Sequence, residues 1–228
     1  MRFFKTLINK IKSIFKPTPN PEKKKRKTIL DFRSSTQQNF RKAVSKYLIE
    51  VHHTNSELKE YLRIVDPNKL KEFVGFILRS HLPVHYKLIL TLQAGAGGRI
   101  NEILNLKRED VLLDEGLIRI TVLKKRAKKL HHRHAQIAED VLPLLRKYLI
   151  HLEGDKLFDI NRHSVYKFYM KMMGICTHSL RHTFVSYLVQ VLKWTPEQVQ
   201  KFMLFEDIKD ALVYYNTNTK DQAKTINL

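Results

Sequence analysis

The sequence has little cysteine and no long apolar run, and both shortages narrow the classes of protein that fit it. Cys176 is the single cysteine among 228 residues. This excludes an internal disulfide framework and a cysteine-rich zinc site, and it favours a reducing compartment such as the cytoplasm. Nowhere do 18 apolar residues follow one another, so the sequence predicts no membrane-spanning helix.

Acidic residues are also scarce relative to basic ones. Lys and Arg number 42 against 22 Asp and Glu, which gives a formal net charge of +20. This excess predicts a polyanionic partner, with nucleic acid as the first candidate. Ribosomal proteins and other basic proteins share such a balance, so the function has to be inferred from motifs.

The first 27 residues have a pattern of their own. Residues 1–16 place apolar side chains at helical spacing among Lys and Arg, which predicts a basic amphipathic helix. Such a helix serves as an anchor on a membrane surface, as an arm that grips DNA, or as an element docked on its own domain or on a second copy. Residues 17–27 hold three prolines and then the basic run KKKRK, and they predict an extended linker that contacts phosphates.

The rest of the chain divides near Asp66 and Pro67, a pair that marks a boundary. Before it, apolar residues between 31 and 64 recur at helical spacing and predict two short helices. We interpret residues 28–66 as a short helical region that contacts DNA, and residues 67–228 as the main domain.

Within the main domain the pattern is mostly helical, with one interruption. LIRITVL at 117–123 alternates like a strand, a lysine-rich segment follows, and RHAQI predicts a second strand, so we expect a β-hairpin with a basic tip. Helical spacing returns over residues 140–151, 161–173, 177–192, 196–202 and 207–215. The predicted fold class is mainly α, or α+β, with a small antiparallel hairpin or sheet.

Three separated motifs carry the candidate chemistry. AGGRINEIL contains Arg99 and Glu102, THSLRHTF contains His178 and Arg181, and FEDIKDALVYY contains Tyr214. In order and spacing these motifs resemble the three conserved boxes of the tyrosine recombinase family, also called the phage integrases. The resemblance extends from about residue 67 to residue 216, and a basic chain with all three motifs is a far more specific signal than one motif alone.

The resemblance implies a reaction at a DNA phosphate. Arg99 and Arg181 would bind the non-bridging oxygens, because guanidinium groups meet phosphate oxygens bidentately. His178 would bind the same phosphate or take the proton of the tyrosine, and His182 would have a supporting role. Tyr214 would attack phosphorus and form a 3′-phosphotyrosyl bond, so the expected function is that of a site-specific recombinase or integrase that cuts and rejoins DNA strands.

Two neighbouring tyrosines compete for the role of nucleophile. Ile208, Leu212 and Tyr215 are spaced like a buried helical stripe, which predicts that Tyr215 packs in the core while Tyr214 projects from it. In the family the nucleophile lies six residues after an apolar position, and Ile208 to Tyr214 fits that spacing.

The resemblance also implies a lysine on the hairpin that protonates the leaving 5′-oxygen. The tip offers Lys124, Lys125, Lys128 and Lys129. Counting forward from the first strand favours Lys124, whereas counting back from Arg133 favours Lys128. We select Lys124, because the strand before it has the clearer pattern.

No cofactor, metal or small-molecule ligand is expected. The phosphotyrosyl bond conserves the energy of the phosphodiester, and His131, His132 and His134 lie beside no cysteine or carboxylate cluster that would complete a metal site. The implied partner is double-stranded DNA, on which the family assembles as homo-oligomers, here expected to be tetramers. The expected location is the cytoplasm, on DNA, and the sequence argues against a membrane role.

Two departures from the family pattern favour an alternative. Where the family has a hydrogen-bonding residue before the last helix, this chain has Phe205, which offers no donor. The region ahead of the main domain is also shorter than the family's usual DNA-clamping domain. A derivative of the same fold that binds DNA with weakened or lost catalysis is therefore the alternative function.

Overall fold

The computed structural model describes residues 34–53, 62–123, 130–215 and 217–219. The expected N-terminal helix and linker, residues 1–27, and the lysines of the hairpin tip lie outside these residues. The helices are α1 (Ser34–Ser45), α2 (Leu70–Arg79), α3 (Val84–Ala96), α4 (Ile100–Leu104), α5 (Leu142–Ile150), α6 (Arg162–Phe168), α7 (Ser179–Gln190), α8 (Pro196–Met203) and α9 (Lys209–Leu212). Within the described residues, no helix combines the length and apolar character needed to cross a bilayer.

Six strands form two small antiparallel sheets in the described part of the chain. The strands are β1 (Leu48–His53), β2 (Leu62–Val65), β3 (Val111–Leu112), β4 (Leu117–Leu123), β5 (Leu130–Gln136) and β6 (Thr217–Thr219). The first sheet has the order β2-β1-β6 and the second the order β3-β4-β5. The prediction of a mainly helical fold with a small antiparallel hairpin is confirmed.

The first helical stripe expected before residue 64 ends earlier than predicted, and the second expected helix lies mostly outside the described residues. The stripe holds for α1, where Val44 is buried and the Phe40 ring lies 5.5 Å from that of Phe76. From Leu48 onward the chain is a strand, paired with β2 on one side and with β6 on the other. Hydrogen bonds to partners distant in sequence thus override a short helical pattern, as is common for short apolar segments.

The first sheet packs against helix α7. Ile64 and Val65 in β2 are fully buried, and the backbone N–H of Val65 donates to Thr183 Oγ1 over 3.0 Å. Thr183 Oγ1 in turn donates to the carbonyl oxygen of Ser179 within α7. The division of the chain at residues 27 and 66 stays a prediction.

Helix α3 lies at the centre of the core. Its successive residues Leu88, Ile89 and Leu90 are all fully buried, which is typical of a helix covered on every side. The Tyr86 ring stacks on Phe168 with their centroids 3.9 Å apart. A second apolar cluster joins α7, α8 and α9. Together these clusters fix the ends of α3 and α7, where the first two motifs lie.

Candidate active site

The first motif begins at a left-handed turn that only glycine fits. Gly97 has φ of 62° and ends α3, with its N–H donating to the carbonyl oxygen of Gln93 over 2.9 Å. A Cβ atom at Gly97 would lie 2.3 Å from Cδ1 of Phe184. The turn therefore lets α3 and α7 approach closely, and it places Arg99 at the start of α4.

Glu102 holds Arg99 by its backbone and its side chain. Oε2 of Glu102 accepts from the Arg99 N–H over 2.8 Å, and Oε1 accepts from Nη1 over 2.9 Å. The Glu102 side chain is 6% exposed, whereas that of Arg99 is 47% exposed. One nitrogen of the Arg99 guanidinium group is thus held by Glu102, while about half of the side chain is exposed to solvent.

Arg181 lies behind this pair. Its Nη1 donates to the carbonyl oxygen of Gly97 over 2.7 Å and lies 3.9 Å from Oε2 of Glu102. Buried Gln93 also ties the first two motifs together, because its Nε2 donates to the carbonyl oxygens of Gly98 and Thr177. The structure therefore brings Arg99, Arg181 and Glu102 together as the motifs predict.

His178 precedes α7 and faces the same space as Arg99. Burial lowers its pKa, and the positive charges of Arg162, Arg181 and Arg99 lower it further. A histidine with a lowered pKa is neutral at pH 7 and offers one acceptor nitrogen and one N–H donor.

The tyrosines differ from the burial prediction. Tyr214 is 6% exposed and belongs to the core cluster between α7, α8 and α9, whereas Tyr215 is 36% exposed. The predicted stripe fails because α9 spans only Lys209–Leu212 and the chain then tightens. Tyr214 N–H donates to the carbonyl oxygen of Ala211, three residues back, which places Tyr214 on the buried face of Ala211.

The Tyr214 hydroxyl lies 2.9 Å from Nδ1 of His182, within hydrogen-bond distance. Burial raises the pKa of Tyr214 to about 12; the charge of Asp210 raises it as well, whereas the charges of Arg181 and Arg99 lower it. His182 was expected only to support the site, yet in the structure it contacts the tyrosine.

A cavity of about 1220 Å³ opens between the second sheet and the third motif. Arg99, His178 and Phe205 are among the described residues that line it, and Tyr214 is not. The Arg181 guanidinium carbon lies 5.4 Å from the centre of the Phe205 ring. Phe205 thus offers a cation–π contact to Arg181 at the position where the family pattern has a hydrogen-bond donor.

Strand β5 adds a residue that the sequence interpretation passed over. His132 and His134 are exposed on one face, as their alternation predicts, and Arg133 lies on the opposite, buried face with Ala135. Among the described residues, no group of three or more His, Cys, Asp or Glu side chains is arranged to hold a metal ion. The signal for Arg133 was its register in the strand, since it lies two residues before the buried Ala135 and therefore on the same face.

Comparison with known protein families decides the classification. The model of the phage integrase family matches residues 63–221. The chain belongs to the phage integrase family. The match covers all three motifs, both strands of the hairpin and the segment that carries Tyr214.

Relatives of this phage integrase chain include two archaeal proteins named tyrosine recombinase XerA. The one from Thermococcus kodakarensis is 28% identical over 149 residues, which are 60% of this chain and 48% of the relative. The one from Saccharolobus solfataricus is 30% identical over 139 residues, which are 56% of this chain and 44% of the relative. The chain spans about half the length of these relatives.

Solved structures share the phage integrase fold. XerH site-specific recombinase bound to its difH substrate superposes with a TM-score of 0.58 at 21% identity, over 75% of this chain and 55% of that one. XerA recombinase gives a TM-score of 0.57 at 19% identity, over 76% and 65%. The catalytic domain of bacteriophage HP1 integrase gives 0.51 at 19% identity, over 73% and 95%.

Proposed function

We propose that this protein is a site-specific DNA recombinase or integrase that cleaves and rejoins strands through a 3′-phosphotyrosyl intermediate on Tyr214. One observation carries this proposal. Arg99 and Arg181, from motifs far apart in sequence, share the buried carboxylate of Glu102, and His182, the residue after Arg181, lies 2.9 Å from the Tyr214 hydroxyl. Cations grouped beside a tyrosine hydroxyl suit an attack on a phosphodiester, in which negative charge builds on the non-bridging oxygens.

The proposed roles follow from the positions of the side chains. Arg99 and Arg181 bind the two non-bridging oxygens of the scissile phosphate and lower the pKa of Tyr214. His182 Nδ1, 2.9 Å from the hydroxyl, accepts its proton as the oxygen attacks phosphorus. His178, which lines the cavity, donates a hydrogen bond to the phosphate.

Departure of the 5′-oxygen requires a proton, which we assign to a lysine on the tip between β4 and β5. Lys124 stays the selected residue, with Lys125, Lys128 and Lys129 as alternatives. The support is the position of the hairpin, because Thr121 in β4 lines the cavity together with Arg99. The freed 5′-hydroxyl of another strand then attacks the phosphotyrosyl bond and restores the phosphodiester, so no cofactor is needed.

Double-stranded DNA is the proposed partner, on which copies assemble as a homo-oligomer, a tetramer during strand exchange. This activity would place the protein with the DNA of its cell. The net charge of +20 and the DNA-bound XerH neighbour support the choice of DNA. We expect affinity to fall about a hundredfold or more between 50 and 200 mM salt if six or more phosphates are contacted. A shallow salt dependence in a fluorescence anisotropy titration would count against DNA.

The decisive experiment removes one hydroxyl. Tyr214→Phe should abolish the covalent adduct on a nicked suicide substrate, seen on denaturing gels, and keep DNA binding, since the ring still packs. Tyr215→Phe is the matched control, because it removes the neighbouring exposed hydroxyl, and it should retain the adduct. An adduct that survives Tyr214→Phe but is lost in Tyr215→Phe would reverse the assignment.

Phe205 favours a second candidate, a DNA-binding derivative without turnover. Its ring offers no donor to the phosphate. Salt-sensitive DNA binding with no adduct in the unmutated protein, even on a suicide substrate, would favour this candidate over the recombinase.

A further inference from the structure

Besides Arg181, Arg133 is a buried arginine at the turn that ends α3, and the proposed reaction gives it no role. It lies in β5 with 5% of its surface exposed. Its pKa is lowered to about 10, mainly by burial and by the charge of Arg181; the charge of Glu102 opposes this shift and that of Arg99 adds to it. The buried Glu102 carboxylate is already paired with Arg99 and Arg181, so the charge of Arg133 adds to a positive charge that this carboxylate does not neutralise. Asp210 adds an exposed carboxylate that acts on Arg181 from the cavity side.

Several donors of this cluster have no hydrogen-bond partner within the described part of the chain. They are Nε and Nη1 of Arg133 and Nη2 of Arg181, all of them buried. A buried charged group with unmatched donors is unfavourable, because it has lost its hydration without full replacement. The arrangement is therefore suited to attracting an anion to Arg181 rather than to stabilising the empty protein, and the unmatched charge of Arg133 adds to that attraction.

Arg133 and Arg181 hold the same turn. Nη2 of Arg133 donates to the carbonyl oxygen of Ala96 over 2.6 Å, and Nη1 of Arg181 donates to that of Gly97 over 2.7 Å. These adjacent carbonyls end α3, two and three residues before Arg99. Phe202 covers Arg133, with its ring centre 5.3 Å from the guanidinium carbon, and so excludes water from one side.

We propose that Arg133 is a positioning residue for the scissile phosphate: it fixes the turn that carries Arg99 and adds a third positive charge behind Arg181. The inference rests on the proposed function and extends it to a residue outside the three motifs. Arg133 acts through the two motif arginines and through its charge, and it does not itself contact the substrate. In a site shielded from water, such a charge favours the phosphate and its transition state over the empty site.

Two substrates distinguish an effect of the Arg133 charge on the phosphate from an effect of Arg133 on the structure of the site. Cleavage would be measured on a normal suicide substrate and on one with a methylphosphonate at the scissile position, which removes the negative charge. Arg133→Gln removes the charge and keeps an uncharged N–H donor on a shorter side chain, so cleavage of the normal substrate should fall roughly tenfold or more. On the methylphosphonate the loss should shrink to about twofold or less, because the charge no longer has a partner.

Matched variants complete the experiment. Arg146→Gln makes the same change at an exposed arginine of α5 and should leave both rates unaltered. Arg133→Lys keeps the charge without the planar fork, so it should lose only about threefold on the normal substrate, again with a smaller loss on the methylphosphonate. This variant also keeps the test open if glutamine unfolds the protein. Equal losses on the two substrates, in whichever Arg133 variant folds, would show a structural role and overturn the proposal.

Inorganic phosphate distinguishes failure of this inference from failure of the proposed function. Phosphate should raise the melting temperature of the unmutated protein and of Arg146→Gln. The rise should be smaller in Arg133→Gln, or in Arg133→Lys if the glutamine variant does not fold. If the unmutated protein forms no adduct but shows this difference, Arg133 serves an anion site and the recombinase activity is what fails. If phosphate stabilises the unmutated protein and its Arg133 variants alike, or none of them, the role of Arg133 is wrong.

Discussion

The two halves of the site are held together by different forces. On one side, hydrogen bonds and ion pairs fix the arginines: Arg99 on Glu102, and Arg181 on the carbonyl of Gly97. On the other side, packing in an apolar cluster holds Tyr214, whose hydroxyl contacts His182. The difference teaches that the proposed phosphate-binding half is preorganised by polar contacts, whereas the proposed nucleophile is positioned by burial.

This contrast has a chemical meaning. Preorganised cations need no rearrangement when charge develops on the phosphate. Burial raises the pKa of Tyr214 to about 12, so the phenolate share at neutral pH is smaller still than in an exposed tyrosine, whose pKa is near 10. In the proposed reaction the arginines hold the phosphate while His182 takes the proton of the hydroxyl, so no free phenolate is needed.

The largest expected effect comes from breaking the cationic half. Arg99→Gln removes a half-exposed guanidinium and leaves Glu102 without its close ion pair, and we expect adduct formation to fall about a hundredfold or more. Urea unfolding should shift little, since the lost pair is partly solvated. Single-turnover cleavage together with a urea titration checks both statements. A large loss of stability would show that the pair serves the fold more than the reaction.

An intermediate effect on cleavage is expected at Phe205, whose ring contacts Arg181. Phe205→His replaces a ring without a donor by one that can hydrogen-bond the phosphate, so cleavage should rise about tenfold. The measurement is the adduct rate at pH 7 on the suicide substrate. If the rate stays equal or drops, the cation–π contact between Phe205 and Arg181 matters more than a phosphate hydrogen bond.

A smaller effect on the cleavage rate is expected from a charge change beside Tyr214. Asp210→Asn removes a negative charge that raises the pKa of Tyr214, so a larger share of phenolate should speed the adduct about threefold at pH 8. The gain should be the same at pH 7 and pH 8, because at both values the phenolate is a small fraction that rises by the same factor. A slower rate at every pH would indicate that Asp210 instead supports Arg181.

The smallest expected effect is on how the free energy of unfolding changes with pH. Because the pKa of His178 is lowered in the folded protein, the unfolded chain, with histidine near 6.5, binds more protons between the two values. The free energy of unfolding therefore decreases as the pH falls from the pKa of the unfolded chain to the lower pKa of the folded protein. Urea midpoints at pH 7 and pH 5.5 should differ less in His178→Gln than in the unmutated protein. Identical differences would assign the pH dependence to other groups.

The sequence predicted what depends on local motifs and missed what depends on distant partners. Arg99, His178 and Arg181 lie close together as their short motifs predict, and their roles stay predictions. Arg133 was passed over, since its burial follows from the register of a strand and from neighbours on other elements. The burial of Tyr214 was predicted wrongly because three-residue turns replace the ideal helical period after α9. Which lysine acts, and the nucleophile itself, remain predictions.

The contact between β2 and α7 has a consequence for dissecting the protein into fragments. A fragment that begins at residue 67 would lack Ile64 and Val65, both fully buried, and would leave Thr183 without the N–H of Val65 to bind. Each lost side chain removes roughly 2 kcal/mol of burial, and α7 carries Arg181. A catalytic fragment meant to fold independently should therefore start no later than the first residue of β1.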